Sequence, residues 1–268
     1  MSSIDDLFSK LRSENRKALM PFVTAGDPDL EFTSAVIEEL VARGASMCEV
    51  GIPYSDPIAD GQVIQESYTR ALSRGIKVSD ILQTLGQLAP RINGPLVTMV
   101  SHAIIYRHGM ERYADALQDK GIAGMIVPDL PVDESDGLAA VCKTRDLSLI
   151  QLVTPTTSRD RALKIADTSS GFLYYVSVAG ITGERSVVPQ ELQERVGWLR
   201  EQTSLPVCIG FGISQPEHVR VLCQVADGLI VGSAIVRRMA DAATDSRDQA
   251  LRQVGDYLSS LLAVMDAR

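Results

Sequence analysis

Cysteine is scarce in this chain and nowhere clustered: four residues in 268, at Cys48, Cys142, Cys208 and Cys223, with no Cys-x-x-Cys spacing. Disulfide frameworks and thiolate zinc sites need closer patterns, so neither is expected. Cys48 and Cys208 lie in apolar runs, where cysteine behaves as a small hydrophobe; reduced thiols in the cytoplasm are the reading. Histidine is rarer still, and His102, His108 and His218 stand far from any metal-ligand spacing. Long hydrophobic runs are also missing. No stretch approaches the roughly 20 apolar residues of a membrane span, and Met-Ser-Ser-Ile-Asp-Asp lacks the basic-then-apolar layout of a signal peptide. Basic residues number 26 against 34 acidic ones, a net charge of −8, which argues against a nucleic-acid binder.

What is present is alternation. Ile4, Leu7, Phe8 and Leu11 fall at helical spacing within 4–17, before an apolar run at 18–24 that ends in the turn Gly26-Asp27-Pro28-Asp29. A helix over 30–42 follows. Short, continuously apolar strands are then expected at 46–51, 95–100, 123–127, 147–152, 172–177, 206–210 and 227–231. Helical segments lie between them, near 62–74, 78–89, 109–120, 133–144, 158–168, 189–202 and 215–224, with two more from 234 and over 246–265. Eight βα units in about 250 residues fit a closed parallel barrel better than an open sheet. The expected fold is α/β, a (β/α)8 TIM barrel with an extra N-terminal helix, forming one domain over 1–268 with no linker or composition shift.

In such a barrel the site lies at the C-terminal strand ends. Three of those ends place glycine or serine where a strand turns toward a helix: Ala179 to Gly183, Gly210-Phe211-Gly212-Ile213-Ser214 and Val231-Gly232-Ser233-Ala234. Such loops present backbone N–H groups and helix N-termini to a phosphate. The bland alternative is that the glycines only make tight turns. A phosphorylated small molecule is the expected ligand.

Acids occupy another end. Cys48 to Gln65 begins as an apolar strand carrying Glu49, breaks into a Pro/Gly-rich loop with Asp56 and Asp60, and resumes as a helix. An acid inside an apolar strand is costly unless it is used or satisfied. Strand alternation puts Glu49 opposite Cys48 and Val50; facing the mouth, it should have a raised pKa suited to proton transfer. Asp60, on the looser loop, should stay ionised and orient or polarise a substrate N–H. A buried ion pair for Glu49 and a helix N-cap for Asp60 are the structural alternatives. Asp56 caps or braces the loop, Asp27 is a turn and cap residue, and Asp129 is a group further back. Phe22, Ile64, Met99, Ile126, Leu152, Tyr174 and Phe211 lie on or beside strand ends and suit an aromatic or indolic ligand, or simply core packing. No lysine stands at a strand end; Lys77, Lys120 and Lys164 read as helix surface. Acid/base carbon–carbon cleavage is therefore favoured over imine chemistry.

These blocks carry a resemblance. Pro21 to Pro28, Glu49 to Gln65, Val127-Pro128-Asp129-Leu130-Pro131, Pro155-Thr156-Thr157, Gly180 to Gly183, Gly210 to Ser214 and Val231 to Val236 follow one another as they do in the tryptophan synthase alpha chain family, which the sequence resembles over nearly its whole length. The resemblance implies a lyase of tryptophan biosynthesis that cleaves indole-3-glycerol phosphate to indole and glyceraldehyde 3-phosphate, with no metal or cofactor of its own. It implies that Glu49 moves the protons and Asp60 binds the indole N–H. Gly183, Gly212, Gly232 and Ser233 match the family's phosphate contacts, and Tyr174 and Phe211 its indole pocket. Thr182 falls on its mobile loop, which closes over substrate and excludes water. It also implies a partner, a beta chain carrying pyridoxal phosphate, in an alpha–beta–beta–alpha heterotetramer met near Asp56, Pro57 and the helix after Gly61.

The chain departs from the family where Tyr-x-Asn is common: here it reads Ser101-His102-Ala103-Ile104, so His102 either takes over a hydrogen bond or sits in an altered interface. Gln62 stands where proline is frequent. Two other readings stay open. One is a non-catalytic barrel that binds the phosphate ligand and only activates a beta chain, against which the retained Glu49 and Asp60 count. The other is a further phosphate-binding barrel of the pathway, such as indole-3-glycerol phosphate synthase, whose lysine-bearing strand ends are absent here.

Overall fold

The computed structural model describes residues 2–57, 60–176, 190–210, 212–241 and 246–266. The chain opens with helix α1 (Ser3–Ser13), which starts where Ser2 and Asp5 exchange side-chain and backbone hydrogen bonds in a capping box. It ends before Asn15, whose φ of 51° lies in the left-handed region, so it is shorter than the expected 4–17. Strand β1 (Ala18–Thr24) is buried throughout and leads to α2 (Leu30–Ala42), where Asp29 accepts from the Phe32 N–H as N-cap. Then come β2 (Cys48–Gly51), α3 (Gln62–Ser73), α4 (Val78–Leu88) and β3 (Leu96–Met99). The path continues through α5 (His102–His108), α6 (Met110–Asp119), β4 (Gly124–Ile126), α7 (Asp136–Lys143), β5 (Ser148–Ile150) and β6 (Leu152–Val153). It finishes with α8 (Arg159–Thr168), β7 (Leu173–Val176), α9 (Gln190–Gln202), β8 (Val207–Gly210), α10 (Pro216–Val225), β9 (Gly228–Val231), α11 (Ser233–Ala240) and α12 (Arg247–Asp266).

All the strand pairs are parallel, in the order β5-β4-β3-β2-β1-β9-β8-β7-β6. The two ends of that order are neighbours in sequence. The strand expected over 147–152 is interrupted at Gln151: its first part pairs with β4 and its second with β7, so one stretch closes the ring and the barrel has eight staves. The break is stabilised from the side. Gln151 is buried, its amide donates to Thr168 Oγ1 at 2.8 Å, and its carbonyl accepts from the Tyr174 N–H at 3.1 Å. The segment expected as one helix over 133–144 is likewise a 3-10 turn, Val132–Glu134, followed by α7.

Alternation along each strand sorts the side chains into two cores. Leu19, Val23, Cys48, Val50, Met125, Leu149, Leu173, Ile209 and Leu229 point outward and pack with the helices. Ala18, Met20, Val97, Ile126, Ile150, Tyr174, Cys208 and Ile230 point inward, and Ile4, Phe8 and Leu11 of α1 join that inner cluster. Helix α1 therefore closes one end of the barrel, with Phe8 and Phe172 ring centroids 5.9 Å apart and Ser2 Oγ 2.9 Å from Ser148 Oγ. The other end, where the strands finish, is left for function.

Close packing of the staves makes one glycine obligatory. A Cβ on Gly124 would stand 2.3 Å from the backbone oxygen of Ser148, which has no rotamer by which to retreat. Gly124→Ala is expected to cost about 1–3 kcal/mol, read as a lower denaturant midpoint with the slope unchanged.

Candidate active site

Glu49 lies in the middle of β2, between Phe22 of β1 and Val97 of β3 in the register. Cys48 and Val50 belong to the outer core, so alternation turns Glu49 inward, as its sequence neighbours suggest. It is 0% exposed, and neither carboxyl oxygen has a hydrogen-bond partner among the described residues. Among the described residues no ion pair satisfies it. Burial pushes its carboxyl well above the usual carboxylate range.

Asp60 approaches from above. Its loop leaves β2 at Gly51 and returns at α3, whose N-cap is Gly61 rather than Asp60. Asp60 is half-buried, and burial raises its pKa to about 6. It stays mostly ionised at neutral pH, by about ten to one. Two acids thus share one mouth with different proton affinities, which is how an acid and a charged partner are told apart.

Tyrosines connect them. The Tyr174 hydroxyl is raised by burial first and then by Glu49, Cys208 and Asp60. Tyr68 is raised by burial, then by Asp60 and Tyr54, while Tyr54 is pushed up to about 12 by burial, Asp60, Asp129 and Asp56. Tyr174 is thus within electrostatic reach of both Glu49 and Asp60, and Tyr54 and Tyr68 within reach of Asp60. Small residues make room for the rings. A Cβ on Gly51 would lie 2.4 Å from Phe22 Cζ and 2.7 Å from Tyr68 Oη, and one on Gly210 would lie 2.6 Å from Tyr174 Oη.

The expected apolar lining divides between two connected groups. Phe22, Ile64, Tyr68 and Val236 form a small buried cluster with Tyr54 and Val63 beside it, and Ile126 and Tyr174 belong to the inner core. Half-buried Met99 touches both, and Leu152 packs against the second. Phe211, Thr182 and Gly183 lie outside the described residues. Of the residues expected at a phosphate, Gly212 takes a φ of +35° with open space where a Cβ would be. Gly232 is the N-cap of α11 with no side-chain cap bond, and exposed Ser233 is the first helical residue. An uncapped helix N-terminus beside a glycine strand end suits an anion.

Several features were not foreseen. Ser101 and His102 open a helix, α5, instead of a rim loop; the helix starts because Ser101 Oγ accepts from the Ala103 N–H. Asp129 accepts from Ser101 Oγ and from the His102 backbone N–H, each at 2.7 Å, and so holds that helix end. Gly109, with φ +85°, separates this additional helix from α6, which occupies the segment expected over 109–120. Tyr68 was missed although it sits four residues after Ile64, on the same helix face. Asp27 does more than turn the chain: it is buried and accepts from Ser67 Oγ at 2.6 Å and from Arg70 at 2.7 and 3.0 Å, tying the β1 loop to α3. The buried Thr24 hydroxyl, like Glu49, lacks a partner among the described residues. A cavity of about 580 Å³ between Thr154–Arg159 and α9 lies outside the barrel and holds neither acid.

The comparisons agree with this geometry. The family model described as tryptophan synthase alpha chain matches residues 8–262. A tryptophan synthase alpha chain of Rhodopirellula baltica is 54% identical over the whole of both chains, and one of Prochlorococcus marinus (strain MIT 9313) is 47% identical over 90% of this chain and 88% of its own. Among solved structures, tryptophan synthase subunit alpha from Legionella pneumophila superposes with a TM-score of 0.91 at 35% identity, covering both chains completely. Tryptophan synthase from Mycobacterium tuberculosis gives 0.90 at 31% identity, covering 100% of this chain and 99% of that one. With the barrel, the two mouth acids and these relatives in agreement, the chain belongs to the tryptophan synthase alpha chain family, the lyases that cleave indole-3-glycerol phosphate.

Proposed function

We propose that in this cleavage Glu49 moves both protons and Asp60 holds the indole N–H. The observation that carries the reading is the buried Glu49 carboxyl, without a hydrogen-bond partner among the described residues and turned into the barrel. Kept neutral by its surroundings, it donates its proton to the indole ring carbon that bears the glycerol chain. The ring nitrogen becomes cationic, and the ionised Asp60 carboxylate, accepting its N–H, stabilises that charge. The glycerol hydroxyl on the adjacent carbon then gives its proton to the Glu49 carboxylate. The carbon–carbon bond breaks, its electron pair restores the aromatic ring, and the carbinol carbon becomes the aldehyde of glyceraldehyde 3-phosphate. Glu49 ends protonated as it began, so no outside acid or base is consumed.

Phe22, Ile64, Met99, Ile126, Tyr174 and Phe211 take the indole ring in this reading. Gly183, Gly212, Gly232 and Ser233 take the phosphate, and Thr182 belongs to the segment that covers it. The reaction requires no cofactor on this chain. Pyridoxal phosphate belongs to a beta chain that receives the indole, in an alpha–beta–beta–alpha assembly in the cytoplasm. Exposed Asp56 and α5, with Tyr106 80% exposed, are accessible at the same rim.

The test is indole release from indole-3-glycerol phosphate by the purified chain, alone and with a beta chain. Slow turnover that rises sharply with the beta chain is expected. Unchanged turnover in the presence of a cognate beta chain would remove the partner from the reading, and no cleavage in either case, with phosphate ligand still bound, would leave a binding barrel.

A further inference from the structure

We propose that Gln65 is a positioning residue that sets the Asp60 loop on helix α3 for the reaction. The inference rests on the reading of Asp60 as the group that holds the indole N–H. Gln65 sits in the first turn of α3, half-buried, with its own N–H bonded to the Gly61 carbonyl. Its side-chain Nε2 donates to the carbonyl of Asp60 at 2.7 Å and to the carbonyl of Pro57 at 3.1 Å. A side-chain amide has two N–H donors, and here both find acceptors. Because both acceptors are carbonyls, only the NH2 end of the amide can face them, so the orientation follows from the chemistry.

The Pro57 carbonyl also accepts the Asp60 N–H at 3.1 Å, so three hydrogen bonds converge on the two residues that frame the approach of Asp60 to the mouth. The base to which Gln65 ties them is itself fixed. Helix α3 is clamped to the β1 loop by Asp27 through Ser67 and Arg70, and its Ile64 and Tyr68 lie in the buried cluster with Phe22. Phe22 stands beside Glu49 in the register, so the chain of contact runs from the Asp60 backbone through Gln65 and α3 to the stave that neighbours the acid. The neighbouring amide serves as a contrast. Gln62, three residues earlier, donates to Glu66 on the surface at 2.8 Å, and among the described residues its side chain has no such bond to the loop.

Misplacement of a reacting group by about 1 Å can cost on the order of 100-fold in rate. Without the Gln65 amide the Asp60 backbone loses the side-chain bond that ties it to α3, and the carboxylate moves toward water. The experiment measures kcat and KM for indole-3-glycerol phosphate cleavage against pH, together with Tm, for the full chain and four variants: Gln65→Leu, Gln65→Glu, Gln62→Leu and Asp60→Asn. Gln65→Leu is expected to lose about 10- to 100-fold in kcat/KM, to melt with the parent, and to shift the acid limb of the pH profile downward as Asp60 becomes better hydrated. Gln65→Glu is expected to lose at least as much while moving that limb upward, since it sets a second carboxylate beside Asp60. Gln62→Leu is expected to match the parent.

If Gln65→Leu behaves like Gln62→Leu while Asp60→Asn is impaired, the proposal falls and the reading of Asp60 stands. A Gln65→Leu enzyme that loses Tm in step with activity and keeps its acid limb has lost a structural bond only, which also overturns the proposal. Full activity in Asp60→Asn would overturn both together.

Discussion

Glu49→Gln is expected to lower kcat for indole release by about 10²–10⁴-fold, the usual contribution of a positioned acid/base group, while the phosphate ligand still binds. The side chain keeps its size but can no longer give up or take back a proton. Its stability is expected to change in an equally specific way. The folded carboxyl has a pKa raised above its ordinary value of 4.5 by burial. A folded pKa above the unfolded one means that the native state keeps a proton the unfolded chain has released. The stabilisation it represents is full below the unfolded pKa and is lost as pH rises toward the folded one. Glutamine has no such dependence. Relative to Glu49, Glu49→Gln should therefore gain stability steadily as pH rises above about 4.5, and denaturation midpoints for the two proteins across that range check it. A lost activity with parallel pH–stability curves would identify a packing defect instead.

Asp60→Asn is expected to lower kcat/KM on the order of 10²-fold, as for removal of one preorganised group that meets developing charge. The amide can still accept from the indole N–H, but it has no charge with which to stabilise the cationic ring. The native enzyme should show the same requirement through pH. With Asp60 near 6, raised by burial, its useful ionised form is depleted as pH falls through that value, and kcat/KM should fall with it. In Asp60→Asn this limb should disappear. Because the folded pKa is raised, ionising Asp60 in place also weakens folding as pH rises from about 3.8 through 6. The variant should escape that loss. Its role in the chemistry and its cost to the fold thus have one cause.

Much of this is legible in the sequence. Short apolar strands separated by helical patterns require a covered parallel sheet, and eight of them in this length close on themselves. Alternation alone sets Glu49 on the face opposite Cys48 and Val50, and the packing of those two against the helices shows that face to be the inner one. What was hidden depended on partners distant in sequence. Gln151 looks like any residue of an apolar strand until β4 and β7 claim opposite sides of it. Ser101 and His102 start a helix in company with Asp129, 28 and 27 residues away, and no local pattern shows that. The raised pKa of Asp60 arises from burial near Tyr54, Tyr68 and Tyr174, which the proline and glycine of its loop do not reveal. Gln65 ended the recognisable block, yet its use as a brace follows only from the curl of the loop back onto α3.

The measurement that bears most directly on the account is the protonation state of Glu49 in the folded, unliganded protein. Infrared spectra of the native chain minus Glu49→Gln, followed across neutral pH, isolate this one carboxyl. A protonated carboxyl band that persists at neutral pH is the expected result, since a buried Glu49 must hold its proton to deliver it. An ionised carboxylate at neutral pH would contradict the account, because the group assigned to start the reaction would have nothing to donate.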